Sequence, residues 1–328
     1  MILFSYFLIL FILGSIFGSF STVLIERWHS GKGGIMTGRS ECPNCKKILT
    51  FFELFPILSY LVQGGKCAGC KKHISVFYPI VEFFMGMIFI IVGYGLYKYG
   101  FTYEDPELWL SLFFGWVTGI YIIYDIKYRE IPDQIIVPGI YTALTLLILG
   151  YFYEGMQIFF DIPTYNIYDT YHTFMYDHIS GAIILYSFFY IQILIPGGFY
   201  LLKIKDIKNF LSLLLSYFTL PLSMFVELFK RDKDTENEVE IPTWIGGGDL
   251  RVALFIGLTL GSSLGIIAFA IAYVTGSIVG LILIFLARSG KIARQKEIAF
   301  GPFLGLGWLT VMLFHSELVN IISKYILI

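Results

Sequence analysis

Long apolar runs separated by short polar stretches leave this chain few folds. Residues 2–25, 83–97, 108–124, 134–153, 179–202 and 250–286 are each apolar and about long enough to cross a bilayer, whose hydrocarbon core takes roughly twenty helical residues. The last run is nearly twice one span, and Gly261-Ser262-Ser263-Leu264-Gly265 within it predicts a turn between two short helices. Phe300-Gly301-Pro302-Phe303-Leu304 opens one more span. The expected fold is an all-α polytopic membrane protein with about eight transmembrane helices. Composition agrees: 57% of residues are hydrophobic and 14% charged, against about 45–50% and 25% in soluble domains. No large basic surface points to nucleic acid, and the many Phe and Tyr suit lipid-facing positions and interfacial belts. The first run lacks a basic start and is too long for a signal-peptide core, so it reads as a retained helix. Its Gly14 and Gly18 form a small-xxx-small pair that permits close helix packing.

Between the first two runs the chain turns polar and basic. Arg27, Lys32, Arg39, Lys46, Lys47, Lys66, Lys71 and Lys72 face only Glu26, Glu41 and Glu53, which places residues 26–75 in the cytoplasm by the positive-inside rule. All four cysteines fall here, as Cys42-Pro43-Asn44-Cys45 and Cys67-Ala68-Gly69-Cys70 with 21 residues between the pairs. Four thiolates at that spacing close a tetrahedral zinc site, which organises a loop too short to build its own core. A full Cys₄ shell leaves no open position, so the expected zinc is structural. Disulfides are disfavoured in a reducing compartment, and a redox CxxC would call for one pair near a βαβ pattern.

Charge also orients the remaining segments. Residues 98–107 and 154–178 are acidic or lysine-poor, as outer loops are, and His172 and His178 read as members of a solvated loop. Glu82, at the cytoplasmic start of the second span, reads as a structural charge. Residues 203–245 carry lysines on both sides of an apolar stretch and read as a cytoplasmic or interfacial insertion, an interfacial or re-entrant pair of short helices. The expected organisation is a first helix at 1–25, a zinc loop at 26–75, helices two to five at 76–202, the insertion at 203–245, and helices six to eight at 246–328. No internal repeat suggests a transporter of two halves.

Two acids stand out. Asp125 ends a span at its carboxyl end, where a negative charge opposes the helix dipole and needs another reason to be there. Asp249 closes the glycine-rich turn Gly246-Gly247-Gly248-Asp249 where a long apolar segment begins; capping the following helix is its simpler role. Gly246 and Gly248 are suited to close approach by a peptide substrate. The parity of the spans puts both acids at one membrane face. Two carboxyls brought close share a proton, and such a pair activates water against a peptide carbonyl. Asp133 reads as a helix-start acid behind Pro132. A channel or scaffold whose zinc loop docks a partner also accounts for intramembrane acids.

The set Gly18-Ser19-Phe20 with Arg27, both CxxC pairs, Tyr78-Pro79-Ile80-Val81-Glu82, Asp125 seven residues before Pro132, Gly246-x-Gly248-Asp249 and Phe300-Gly301-Pro302-Phe303-Leu304 resembles the type IV prepilin peptidases. The GxGD element is similar to that of the wider GxGD aspartyl intramembrane proteases. The resemblance implies cleavage of the short basic leader of prepilins or pseudopilins at the cytoplasmic face of a prokaryotic inner membrane. It implies Asp125 and Asp249 as the catalytic pair and the cysteines as zinc ligands. It also implies S-adenosylmethionine-dependent N-methylation of the new amino terminus in many members, and a methyltransferase without protease activity is a further alternative. Two features depart from the family pattern: Arg251 stands where a lysine is usual, and residues 203–243 are longer than is typical.

Overall fold

Residues 2–31, 39–98, 100–159, 167–203, 246–289 and 298–325 are described by a computed structural model. Among them the chain is helical and has no strand. In order come α1 (Ile2–Ser30), α2 (Leu58–Val62), α3 (Phe77–Tyr97), α4 (Pro106–Tyr128), α5 (Asp133–Phe159), α6 (Ile167–Lys203), α7 (Gly247–Arg288), α8 (Gly301–Leu313) and α9 (His315–Tyr325). Six of the described helices are long and apolar enough to cross a membrane, or up to seven if the bent pair α8 and α9 is one span. A backbone in hydrocarbon has no water to bond, so helices are the form such runs must take.

The chain divides into two compact units, residues 1–127 with 309–328 and residues 128–308. In the first, α1 lies against α3 through small residues. A Cβ at Gly14 would stand 2.7 Å from the Met85 carbonyl oxygen, and one at Gly18 would stand 2.8 Å from the Cα of Glu82. Gly86 answers from α3, with Phe11 at 2.7 Å and Ser15 Oγ at 2.8 Å from its missing Cβ. The close approach expected of Gly14 and Gly18 is therefore how these helices meet. Gly119 of α4 seats the Met85 side chain, and Trp116 Nε1 donates to Ser21 Oγ at 2.9 Å. Every residue of α4 from Val117 to Asp125 is buried, so this stretch is apolar on all sides because protein surrounds it.

In the second unit α7 is interrupted at Gly261, where φ is 77° and ψ −174°. Only glycine adopts such a conformation without strain. The two arms fold back on each other: a Cβ at Gly265 would lie 4.0 Å from the Cα of Gly257, whereas eight residues of unbroken helix span about 12 Å. Residues 247–260 and 262–288 are thus a helical hairpin, as the glycine-serine turn predicts. Counting its arms separately and α8 with α9 as one span gives the eight helices expected. The bend is sealed by α6: Gly181 and Ala182 lie against Gly257 and Gly261, and Asp177 accepts from Ser262 N–H at 3.1 Å and from its hydroxyl. That carboxylate caps the second arm from outside its own chain segment.

One expectation is corrected. His178 is not in a solvated loop, because α6 begins earlier than the apolar run; it is 8% exposed, with Nδ1 2.7 Å from the Leu258 carbonyl oxygen. Asp125 lies in the last turn of α4, at the carboxyl end where it is expected. The last apolar run is bent: α8 and α9 meet at 78°, and thirteen residues of α8 cover about 20 Å. The insertion expected at 203–245 lies, from residue 204, outside the described residues, as do residues 290–297.

Candidate active site and metal centre

The two CxxC segments fold alike. Cys42 N–H donates to the Lys47 carbonyl at 2.9 Å and Lys46 N–H to the Cys42 carbonyl at 3.0 Å; Cys67 with Lys72, and Lys71 with Cys67, repeat the pattern at 2.9 Å. Lys46 and Lys71 take matching left-handed conformations, with φ of 59° and 60°. These turns bring the four sulfurs within 4.8 Å of one another, with Cys42–Cys70 and Cys45–Cys67 separations of 3.9 Å. A tetrahedron of 2.3 Å zinc–sulfur bonds has edges of about 3.8 Å, so the cluster is compatible with zinc binding.

The thiols differ in proton affinity. The Lys72 N–H, with the Asn44 side-chain amide donating at 3.5 Å, holds Cys70 down to about 6. The N–H groups of Cys45 and Asn44 lower Cys42. At Cys45 the Lys47 N–H pulls downward, yet burial and the neighbouring thiols prevail and push it up to about 11. Asn44 also accepts from Lys72 Nζ at 2.6 Å, tying the two turns together. Glu53 accepts from Lys47 Nζ at 2.7 Å and from both Thr50 donors at 2.9 Å, and it falls to about 2, chiefly through Lys47.

Glu82 fastens this loop to the bundle. Its carboxylate, buried near the start of α3, accepts from Ile57 N–H at 2.7 Å, and Ile57 holds a φ of 61°. Nothing in the spacing of the sequence named Ile57, since the contact bridges 25 residues.

The two acids occupy opposite kinds of helix end. Asp125 is 4% exposed in the last turn of α4, and Asp249 is 9% exposed in the first turn of α7. In the first unit, Tyr78 Oη donates to Glu26 at 3.0 Å and Lys127 Nζ lies 3.7 Å from the same carboxylate. In the second unit, Gly246 caps α7 at φ −73°, and among the described residues its missing Cβ would meet only the Asp249 carboxylate, at 3.7 Å. Gly248 is filled differently: its Cβ would lie 2.9 Å from the Cβ of Ile131. Arg251 NH1 donates to Asp133 Oδ1, so this acid, in the first turn of α5 as expected, also joins α5 to α7. The fold-back of α7 also brings the Tyr273 phenol within electrostatic reach of Asp249, and Tyr273 is hydrogen-bonded to Gln192 of α6 at 3.0 Å. The Arg251–Asp133 and Tyr273–Gln192 pairs were not visible in the sequence, because each joins segments at least 81 residues apart.

A helical membrane bundle with one carboxyl buried at the end of α4 and another at the start of α7 fits the class of membrane-embedded aspartic peptidases. Comparison with known proteins narrows this. Residues 112–281, which hold Asp125 and Asp249, match the type IV leader peptidase family, and residues 12–96, which hold the four cysteines, match the bacterial peptidase A24 N-terminal domain. The chain belongs to the type IV leader peptidase family. It is 24% identical over 319 residues to a prepilin leader peptidase/N-methyltransferase of Bacillus subtilis (strain 168), covering 96% of this chain and 97% of that one. A protein of the same name from Legionella pneumophila is 24% identical over 90% of this chain and 79% of its own. One from Myxococcus xanthus (strain DK1622) is 35% identical over 46% of this chain and 42% of its own. No solved structure matches the chain significantly.

Proposed function

We propose that the protein removes the basic leader of type IV prepilins or pseudopilins at the cytoplasmic face of a prokaryotic inner membrane, with Asp125 and Asp249 as its catalytic pair. The observation that carries this is the burial of both carboxyls at helix ends inside the segment matching the leader peptidase family. In that chemistry one carboxylate takes a proton from water while the other, protonated, polarises the scissile carbonyl. Two acids working this way titrate as a pair. Gly246, with open space beside the Asp249 carboxylate, and Gly248, seated on Ile131, keep the turn free of side chains where an extended peptide must pass. Lys127, Arg129 and the basic zinc loop support the cytoplasmic placement.

Cys42, Cys45, Cys67 and Cys70 would hold a structural zinc, which fixes the loop and, with all four positions taken by sulfur, offers no site for water. N-methylation is supported by the names of the relatives, and S-adenosylmethionine is the methyl donor that the family resemblance implies. The test is incubation of the purified protein in proteoliposomes with a leader-bearing prepilin, followed by mass measurement of the product. Loss of the leader supports the proposal, and addition of a methyl group when S-adenosylmethionine is supplied extends it. An uncut prepilin alongside correctly folded protein overturns it.

A further inference from the structure

Outside the acids, the most unusual surface lies where the zinc loop meets α3. Tyr60 and Leu61 of α2, with Val76, Pro79, Ile80, Phe83, Phe84 and Met87, line a cavity of about 420 Å³. Ile80, Phe83, Phe84 and Met87 follow the i, i+3, i+4, i+7 spacing of one helix face. Phe83 packs edge-on against Phe11 of α1, with ring centroids 5.6 Å apart, yet Ile80, Phe83 and Met87 remain exposed on a helix long and apolar enough to span the membrane. The groove is therefore continuous with the lipid-facing surface and not with the interior of the bundle.

Its dimensions identify the occupant. From Phe77, at the cytoplasmic start of α3, to Met87 the helix advances about 15 Å. That is half of the roughly 30 Å hydrocarbon core, or one leaflet. The loop above it is built for the same boundary: Phe51 is 74%, Phe52 82% and Val62 87% exposed, with Leu58 and Leu61 also open. Aromatic and aliphatic side chains so exposed on a polar loop mark an interaction surface. Lys66 and Lys71 are exposed on the same loop with no ion pair among the described residues, whereas Lys46 and Lys47 are paired with Glu41 and Glu53 and Lys72 is hydrogen-bonded to Asn44. Such lysines beside an apolar rim complement an anionic leaflet.

We infer that the groove between α2 and α3 binds one acyl chain of an inner-leaflet anionic phospholipid, with Phe51, Phe52 and Val62 set into the headgroup boundary. The zinc loop is then a membrane-seated element and does not stand free in the cytoplasm. The lipid supplies a wall that the short loop lacks, and the Glu82–Ile57 bond holds the groove at the correct depth.

The test places a benzoylphenylalanine photoprobe at Leu61 in the full chain, reconstituted with a mixture of phosphatidylglycerol and phosphatidylcholine and no prepilin. The same probe at Ile9, exposed on α1 and not among the residues that line the groove, is the control for labelling by bulk lipid. The expected result is a phospholipid adduct at Leu61, enriched several-fold in phosphatidylglycerol over its share of the mixture, with the enrichment lost in K66A/K71A. An adduct at Ile9 with none at Leu61 overturns the inference, as does a Leu61 adduct without headgroup preference. An adduct that forms only with added prepilin assigns the groove to substrate and overturns it as well. None of these outcomes depends on peptidase activity, so the inference stands or falls apart from the proposed reaction.

Discussion

The two glycines of the GxGD turn are not equivalent, and replacing each with alanine separates them. A methyl at 248 would stand 2.9 Å from the Cβ of Ile131 and 3.3 Å from its Cγ1 and Cδ1. Ordinary carbon contacts lie at about 3.5–4.0 Å, so the first turn of α7 must move by roughly 0.5–1 Å. Overpacking of this kind costs about 1–3 kcal/mol. If the displacement is expressed at Asp249, where each 1.36 kcal/mol is tenfold in rate, Gly248→Ala slows prepilin cleavage by about 5- to 150-fold. At 246, among the described residues, the added methyl meets only the Asp249 carboxylate at 3.7 Å, and φ is −73°. Gly246→Ala therefore leaves the packing of α7 undisturbed, and any slowing of cleavage it causes comes from a methyl in the path of the peptide and is not relieved by Ile131→Gly. The assay is the initial rate of leader removal in proteoliposomes, with Gly248→Ala/Ile131→Gly as the partner variant, which regains part of the loss. Full activity in Gly248→Ala, or no recovery in the double variant, refutes the packing explanation.

Elemental analysis is expected to find close to one zinc per chain and none in Cys42→Ser, because three remaining thiolates hold zinc far less firmly than four. Glu53 makes the loop sensitive to acid: its folded value of about 2 lies below the ordinary 4.5, so its pairing stabilises the loop above pH 4.5 and is lost as pH falls from there toward 2. Protease sensitivity of the loop, compared between the parent and Glu53→Gln, should rise over that window in the parent and show the smaller pH dependence in the variant. Gly14→Val drives a side chain into the backbone at Met85 and Gly86 and should lower stability in detergent by about 1–3 kcal/mol, seen as a reduced unfolding temperature.

What the sequence discloses depends on the range of the interaction. Hydrophobic runs report the spans, since the requirement that a helix satisfy its own backbone in lipid is local. The hairpin in α7 was legible for the same reason: Gly261 and its serines sit at the bend itself. The four cysteines declare their cluster through spacing alone. Helix ends were less legible. His178 belongs to α6 because burial against Leu258 extends the helix beyond its apolar run. Arg251 with Asp133, Tyr273 with Gln192 and Glu82 with Ile57 were out of reach, because such pairs form only after distant segments have packed. Asp133 shows the effect most clearly: its position after Pro132 explains a helix-start acid fully, and the ion pair to α7 adds a role that the spacing does not record.

The claim on which the rest depends is that Asp125 and Asp249 act on one scissile bond. Its most direct measurement is leader cleavage by Asp125→Asn and Asp249→Asn, each reconstituted at parental level and shown to unfold at the parental temperature. The account predicts that both bind prepilin and neither cuts it. Cleavage at the parental rate by either variant contradicts it.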